Sequence, residues 1–533
     1  MVRPSSFGAT HDDSIYLTTA KALATDQGYR IISLPYEPAQ TKYPPFYPFL
    51  LSMVWRVYPQ FPANLMPMML LSVLATLSFL ALSYRYLVKY DYATKWQALI
   101  VVALCALNWR SFILATTILS EMVYAALSVA ALWLAEKSVK EQSSRLAASI
   151  LGVILGLAFL TRTAGLALLV AVGVHFALRK QWRRALLPIA VGSLFVFGWI
   201  GWCYLNKTTV EDSTTAYYTS YFRVSYDLIS QMEVANHSSK LMVVLTLVLK
   251  NAFMLVVITP PVICLGLTFD WPQVLPQQLF NIGLGIFIVV FWLIVRGFWR
   301  LKSKRIRLLH LYVLLYVVLH MIWPYPIYDR FLMPLICFLE LFMVAELTAI
   351  LRMVRNELAP AAPTSKRISA AFVGLVMFFL AGAFAYTYWL GYRQFLSYSS
   401  NVTAGSLKDR RAIEWIAEQT DSSAVLLCAS DPKYYLYTGR KATRSAPMRG
   451  PDLLKESDIS AQVLRIIDES NATYLILPGS SRSGVEKSDD PYENAYEELI
   501  DLNPQSFIPA YIPGDQSIRI YRLDVGAGPI RQR

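Results

Sequence analysis

Residues 12–48 read DDSIYLTTAKALATDQGYRIISLPYEPAQTKYPPFYP and form a polar segment that opens on two adjacent carboxylates, Asp12 and Asp13. The chain is then dominated by apolar runs from residue 64 to residue 395, so the segment stands immediately before a series of membrane-length stretches. Carboxylates are costly to keep near hydrocarbon unless they have a function there. Asp12 and Asp13 are therefore the first candidates for an active site.

Composition places the chain among polytopic membrane proteins. Of its 533 residues 55% are hydrophobic and 16% charged, with a mean hydropathy of +0.41, which excludes an ordinary soluble globular protein. The net charge is +13, but the basic residues lie in short clusters between apolar runs, where they act as orientation signals. We therefore expect no nucleic-acid partner.

The cysteines and carboxylates do not suggest a metal site or a cofactor. Four of the five cysteines fall inside apolar runs and only Cys428 lies in a polar region, so neither a disulfide framework nor a cysteine metal site is predicted. Asp12 and Asp13 have no third carboxylate at ligand spacing and only His11 adjacent. We predict no metal and no cofactor.

Apolar runs of about 20 residues, enough to span a bilayer, predict a bundle of about ten crossings. They occupy residues 64–88, 96–116, 119–135, 186–204, 279–295, 308–323, 331–351 and 368–392. The longer run 146–178 is interrupted by Thr161-Arg162-Thr163 and is expected to form two short helices.

Basic clusters predict which side each loop faces. Those at 85–95, 137–145, 179–184, 296–307 and 352–367 are typical of cytoplasmic loops. Parity then places residues 1–63, the loop 206–240 and everything after residue 393 on the outer side. Only one crossing fits between that loop and the cluster at 296–307, so we interpret 241–267, with Pro260-Pro261, as an interfacial or re-entrant segment broken at the prolines.

The predicted fold class is mainly α: a polytopic membrane helical bundle with a small C-terminal α/β domain. Residues 1–63 form an outer acidic loop with amphipathic helices, 64–395 the bundle and 396–533 the soluble outer domain. The last assignment depends on β-like runs at 424–428, 474–477 and 518–522, separated by the helical patterns 409–420 and 459–470.

Ionisable residues from distant segments are predicted at the outer membrane surface, where one cavity would explain them. They are His11, Asp12, Asp13, Lys42, Glu121, Arg162, Asp329 and Arg330. Several of them also have a simpler explanation: Arg162 and Arg330 follow apolar runs and can snorkel to the interface. Glu121, after Ser120, favours a helix N-terminus, and Thr10 or Asp12 can cap a helix over 13–25.

Several short motifs occur together in order. They are Asp12-Asp13-Ser-Ile-Tyr16, Lys42-Tyr43-Pro44-Pro45-Phe46-Tyr47-Pro48, Leu119-Ser120-Glu121, Leu160-Thr161-Arg162-Thr163-Ala164-Gly165 and Asp329-Arg330-Phe331-Leu332-Met333-Pro334. Over residues 10–395 this series resembles the GT-C superfamily of polyprenyl-phosphate-sugar glycosyltransferases. The similar branch contains the protein O-mannosyltransferases and the lipid A aminoarabinose transferases.

The resemblance implies a chemistry for these residues. It implies an inverting transfer from a polyprenyl-phosphate sugar to a glycan, lipid or protein acceptor, with Asp12, and Asp13 next in line, as the general base. Substrate binding would fall to Lys42, Tyr43, Arg162, Arg330 and Glu121. The residue types suit this reaction: a base takes the acceptor's proton, and cations, Arg in a bidentate manner, stabilise the departing phosphate.

One feature departs from the family pattern. Relatives place a transmembrane helix before the acidic loop, whereas only residues 1–11 precede Asp12 here. We expect that the start lies upstream and that the chain is truncated, or that the loop reaches the outer side without that helix. The expected location is the bilayer of a bacterial inner membrane, with the active site and the C-terminal domain outside the cytoplasm.

Two other functions compete with the transferase. A transporter or flippase of lipid-linked sugars would use the same charges as a path, but would favour repeated halves with broken helices, which the sequence does not show. An inactive membrane scaffold would present only the C-terminal domain. The sugar and the acceptor are not indicated by any motif.

Overall fold

The chain forms eighteen α-helices and five strands within the part that is described. The computed structural model describes residues 7–8, 10–141, 144–207, 218–219, 226, 229–230, 232–233, 239–267, 277–302, 307–323, 329–358, 363–446, 456–478, 490–514 and 517–524. Two compact units result, one of residues 1–68, 199–244 and 399–533, the other of residues 69–198 and 245–398. We call them the first and the second unit.

The helices occupy most of the chain. They are α1 His11–Ala24, α2 Phe46–Val57, α3 Leu65–Lys89, α4 Lys95–Leu107, α5 Trp109–Thr116, α6 Glu121–Lys140, α7 Arg145–Thr161, α8 Gly165–Leu178, α9 Trp182–Leu205, α10 Lys240–Phe253, α11 Thr259–Cys264, α12 Gln277–Lys302, α13 Leu308–Met321, α14 Ile336–Leu358, α15 Pro363–Gln419, α16 Asp431–Thr438, α17 Glu456–Ser470 and α18 Pro491–Leu502. Short 3₁₀ turns at Asp329–Phe331 and Met333–Leu335 precede α14.

Six of the described helical runs are long and apolar enough to cross a membrane. They are Leu65–Lys89, Glu121–Lys140, Trp182–Leu205, Lys240–Cys264, Gly283–Leu301 and Met333–Val354. The pair α4 and α5, bent by 63° at Asn108, makes a seventh if it is one span, and four shorter apolar helices accompany them. The chain is accordingly a multi-pass integral membrane protein, as its composition predicts.

Two of these helices form the centre of the second unit. The apolar windows of Met333–Val354 and Glu121–Lys140 are 72% and 61% buried, whereas the other four windows are 22–33% buried. The close packing of α12 on α14 requires glycine at position 297 of α12. A Cβ added to Gly297 would lie 1.8 Å from the carbonyl oxygen of Phe342. Two helices can therefore meet backbone to backbone.

The predicted division of the run 146–178 is confirmed, because α7 ends at Thr161 and α8 begins at Gly165. The break expected at Pro260-Pro261 is wrong. α10 continues through a π-helical turn, Met254–Ile258, directly into α11. Both prolines lie in the first turn of α11, and the π turn shifts the hydrogen-bond register just before them, so the helix continues. The re-entrant path stays a prediction.

The C-terminal α/β fold is confirmed as a five-stranded sheet with strand order β2-β1-β3-β5-β4. The strands are β1 Val425–Cys428, β2 Lys441–Arg444, β3 Tyr474–Pro478, β4 Phe507–Tyr511 and β5 Ile518–Leu523. β2, β1 and β3 are parallel, whereas β5 pairs antiparallel with β3 and β4. Helices α17 and α18 cover one core cluster and the end of α15, with α16, covers the other. The sequence predicts three of the five strands.

Within the first unit, α1 packs on α2 and on α16. The loop between α1 and α2 joins the edge strand β2, because the backbone N–H of Ala442 donates to the carbonyl of Ser33 over 2.9 Å. Lys441 reinforces this junction by donating to the carbonyl of Ile32 over 2.7 Å and by pairing with Glu37. Residues from both ends of the chain therefore meet in one compact structure.

Candidate active site

Asp12 lies in the first turn of α1 and is half-buried. The phenol of Tyr43 donates a hydrogen bond of 2.6 Å to Asp12 Oδ1. Tyr43 is itself fixed, because its backbone N–H and that of Lys42 both donate to Gln40 Oε1, over 3.1 and 2.9 Å. The N-terminus of a helix favours a carboxylate. Asp12 is therefore held as an oriented carboxylate that keeps some access to solvent.

Lys42 brings a cation to the same place. Its side chain is buried, and its ammonium lies 5.5 Å from the centre of the Tyr43 ring. Burial lowers the pKa of Lys42 to about 7, an effect that the negative charge of Asp12 opposes and the positive charge of Arg444 reinforces. A lysine with this pKa loses its proton near neutral pH, and a bound anion would favour the protonated, charged form.

His11, Tyr218 and Asp431 form a chain of hydrogen bonds beside Asp12. Tyr218 Oη donates to both oxygens of Asp431 at 2.6 Å, and His11 Nε2 lies 2.9 Å from Tyr218 Oη. With the phenol proton directed at Asp431, the contact with His11 completes the chain in the tautomer whose Nε2 carries the proton. Burial and the charge of Arg444 keep the pKa of His11 well below its usual value, so this imidazole is neutral.

Asp431 and Arg444 come from the C-terminal sheet. Cys428, the last residue of β1, pairs with Arg444, the last residue of β2, so the two parallel strands end at the same edge. Asp431, in the first turn of α16, follows the end of β1 after two residues. Burial raises the pKa of Asp431 to about 7, and Arg444 opposes that rise. The carboxyl end of a parallel sheet is a common place for ligand sites.

Asp13 occupies a different environment from Asp12. It is 2% exposed and accepts hydrogen bonds from the Gly8 backbone N–H, over 3.0 Å, and from the Ser14 hydroxyl, over 2.9 Å. Burial raises the pKa of Asp13 to about 7, against the effect of these hydrogen bonds. Asp13 is therefore enclosed at the start of α1, whose cap residue, Thr10, makes no side-chain capping hydrogen bond. A catalytic role for Asp13 stays a prediction.

In the second unit, Glu121 and Arg162 form an ion pair. Arg162 Nη1 lies 2.7 Å from Glu121 Oε1, and it also donates to the Ser120 hydroxyl over 3.3 Å. Glu121 is the first residue of α6 and is 1% exposed, whereas Arg162 follows α7 and is 17% exposed. The position of Glu121 at a helix N-terminus is confirmed, but the ion pair adds a partner that its sequence position does not reveal.

Arg330 stands in a 3₁₀ turn with its guanidinium 5.6 Å from the Phe331 ring, and its backbone N–H donates to Asp329 Oδ1 over 2.8 Å. Asp329 also pairs with Arg110, a buried cation of α5 that donates in addition to the Leu267 carbonyl. The sequence reasoning missed Arg110. The sequence feature that could have revealed Arg110 is the interruption of the apolar run 96–116 by Asn108 and Arg110.

The structure thus brings Asp12, Asp13, Lys42 and Tyr43 together in the first unit. It pairs Glu121 with Arg162 in the second unit, where Arg330 also lies. Their convergence with Asp12 stays a prediction. Among the described residues, no group of three or more His, Cys, Asp or Glu side chains is arranged to hold a metal ion, and all five cysteines are free.

Comparison with solved structures identifies the fold. The structure is similar to ArnT from Cupriavidus metallidurans bound to undecaprenyl phosphate, with a TM-score of 0.53 and 11% identity over 97% of this chain and 94% of that one. The apo state of ArnT gives a TM-score of 0.50 at 12% identity, over 97% and 94% of the two chains.

A second similar structure is the archaeal oligosaccharyltransferase AglB from Archaeoglobus fulgidus, in complex with an inhibitory peptide and a dolichol-phosphate. Its TM-score is 0.52 at 14% identity, over 97% of this chain and 71% of that one. No protein-family model matches the sequence, and no curated protein matches it. ArnT and AglB are both GT-C proteins. The expected resemblance is therefore confirmed at the level of the fold: the chain has the GT-C fold.

Proposed function

We propose that the chain is an integral-membrane glycosyltransferase that moves a sugar from a polyprenyl-phosphate donor to an acceptor hydroxyl at the outer face of the membrane. The GT-C fold supports this reaction class, since solved structures of ArnT and AglB hold undecaprenyl phosphate and dolichol-phosphate, both polyprenyl phosphates. A lipid-linked donor also accounts for the apolar helices, along which an isoprenoid tail can lie.

The observation that carries the proposal is the setting of Asp12. A half-buried carboxylate, oriented by the Tyr43 phenol at 2.6 Å and flanked by buried Lys42, combines a base with a nearby cation. A general base must keep a fixed direction and reach the substrate's proton. Asp12 meets both requirements better than Asp13, which is enclosed by Gly8 and Ser14.

In the proposed reaction, Asp12 removes the proton of the acceptor hydroxyl while the acceptor oxygen attacks the anomeric carbon. The bond between that carbon and the donor phosphate breaks, and polyprenyl phosphate leaves with the bonding electrons. Attack from the opposite side inverts the anomeric configuration. Lys42 and Arg444 supply positive charge in the first unit, and Arg162 and Arg330 are proposed to hold the phosphate, with Glu121 orienting Arg162.

The test is Asp12→Asn, with Asp26→Asn as the matched control. Asp26 lies two residues beyond α1, its side chain is 88% exposed, and its positive φ of 58° suits Asn. Removing a general base lowers the rate by about 10²–10⁴-fold. We expect that loss in the release of polyprenyl phosphate from polyprenyl-phosphate sugars for Asp12→Asn, and wild-type rates for Asp26→Asn. Transfer at the wild-type rate by Asp12→Asn would exclude this base.

A further inference from the structure

An open cavity of about 710 Å³ belongs to the second unit and lies between α12 and α14. This volume falls within the range of about 300–1,000 Å³ that is usual for ligand sites. Its polar lining consists of Tyr92, Gln97, Arg300, Thr348, Arg352 and Asn356. Thr348, Arg352 and Asn356 are spaced four residues apart, which places them on one face of α14. None of these residues belongs to the proposed active site.

Arg300 is held in a fixed orientation at the wall of this cavity. It pairs with Glu346 in a bidentate manner, Nε to Oε2 over 2.5 Å and Nη2 to Oε1 over 3.2 Å. Arg296 approaches the same carboxylate to 3.5 Å, so two guanidinium groups share one anion. Within the described ranges, the third nitrogen of Arg300, Nη1, makes no hydrogen bond. The cation is therefore oriented and only partly neutralised.

Arg352 is a second cation of the lining, and it is exposed. It makes neither a hydrogen bond nor an ion pair with any other residue that the structure describes. Gln97 and Thr348 stand beside it and are linked to each other by a hydrogen bond of 2.6 Å. A charged head group of several oxygens could bind both arginines and the neighbouring amide groups together.

We propose that this cavity binds the phosphate head group of an anionic membrane lipid. The apolar spans Gly283–Leu301 and Met333–Val354 both end here, and Met353, which lines the cavity, is 54% exposed. When the phosphate head group lies in the cavity, the acyl chains of the lipid can therefore lie along this apolar surface. The basic clusters 296–307 and 352–367 predict a cytoplasmic position, where anionic lipids are concentrated. The site is independent of the proposed transferase activity.

The test uses Arg352→Ala, Arg352→Lys and the control Arg183→Ala in the purified full-length chain. Arg183 is exposed, stacks on Trp182 at 5.4 Å and belongs to another cluster predicted on the same side of the membrane. Native mass spectrometry in detergent measures binding of phosphatidylglycerol, of phosphatidylcholine and, separately, of inorganic phosphate. Because a hydrogen bond to a charged group contributes about 1.5–3 kcal/mol, Arg352→Ala should weaken phosphatidylglycerol binding at least about tenfold.

We expect Arg183→Ala to bind phosphatidylglycerol as the wild type does, and Arg352→Lys to retain most of the affinity because it keeps the charge. Equal weakening in Arg183→Ala and Arg352→Ala would show diffuse surface attraction and overturn the proposal. Wild-type binding without preference for phosphatidylglycerol over phosphatidylcholine would do the same. Binding of inorganic phosphate as tight as that of the lipid would assign the cavity to a soluble anion.

Discussion

Arg162→Met separates the structural from the catalytic contribution of the Glu121–Arg162 pair. The change leaves a carboxylate that is 1% exposed without the guanidinium that lies 2.7 Å from it. Breaking a buried pair in this way costs about 3–5 kcal/mol. Arg162 is 17% exposed, so water reaches its side of the pair, and the helix N-terminus of α6 still favours Glu121. We therefore expect the lower end, about 3 kcal/mol.

Equilibrium unfolding of the detergent-solubilised chain measures this free energy in a double-mutant cycle of Arg162→Met and Glu121→Gln. Glu121→Gln alone should cost less, about 1–2 kcal/mol, since the remaining cation is partly solvated. In the double variant the loss should fall short of the sum by about 1–3 kcal/mol. The matched control is the exposed pair Lys137–Glu141, at 3.8 Å and 50% and 57% exposed, where each change should cost under about 0.5 kcal/mol.

Additive losses in the cycle would refute the coupling that the ion pair implies. The same proteins also test catalysis. If Arg162 holds the donor phosphate, Arg162→Met lowers glycosyl transfer far more than the fraction of folded protein falls, whereas Glu121→Gln lowers it only through the orientation of Arg162. Equal activity losses in the two variants would remove the direct contact of Arg162 with the donor from the proposal.

Two further predictions concern Lys42 and Gly297. The lowered pKa of Lys42, about 7, means that its ammonium is lost as pH rises through neutrality, so kcat/KM of transfer should fall above about pH 7. Lys42→Arg keeps its charge and should move this decline to higher pH by at least about one unit, while an unmoved decline would exclude Lys42 as its source. Gly297→Ala should destabilise the bundle by about 1–3 kcal/mol or more, because its Cβ meets the Phe342 carbonyl. Gly285 lies in the same helix, and a Cβ added there would have no atom within 4 Å, so Gly285→Ala should stabilise the bundle by about 0.5–1 kcal/mol. Unfolding midpoints that do not separate the two variants would contradict the close approach of α12 and α14.

The sequence predicts the helices well because their apolar periods are long. It predicts β1 and β3 because they are short, nearly continuous apolar runs, and β5 because Ile518, Ile520 and Tyr521 are residue types that favour strands. It misses β4, which contains Pro509, since a proline argues against a strand. The structure explains the exception: β4 lies at the sheet edge, with an irregular register between Pro509 and Tyr511. β2, at the other edge, has only four residues and charged ends, so no pattern marks it.

The candidate site is harder to predict because its residues are distant in sequence. His11 and Tyr218 are 207 positions apart, and Tyr218 and Asp431 are 213 apart. No local pattern encodes such contacts. Asp431 and Arg444 could have been found only through the sheet: once β1 and β2 are known to be parallel neighbours, their carboxyl ends become a place to search. The missed strand β2 therefore also concealed Arg444.

The C-terminal sheet contributes directly to the position of the proposed base. Asp12 is adjacent to His11, which is joined through Tyr218 to Asp431 at the end of β1. The carboxylate of Asp12 also accepts a hydrogen bond from Tyr43, on a loop that pairs with β2 through Ser33 and Ala442. Both routes lead to the same sheet. A change in the sheet that leaves the membrane helices intact would therefore still displace Asp12, which is the physical reason to regard the C-terminal domain as part of the candidate active site of the first unit.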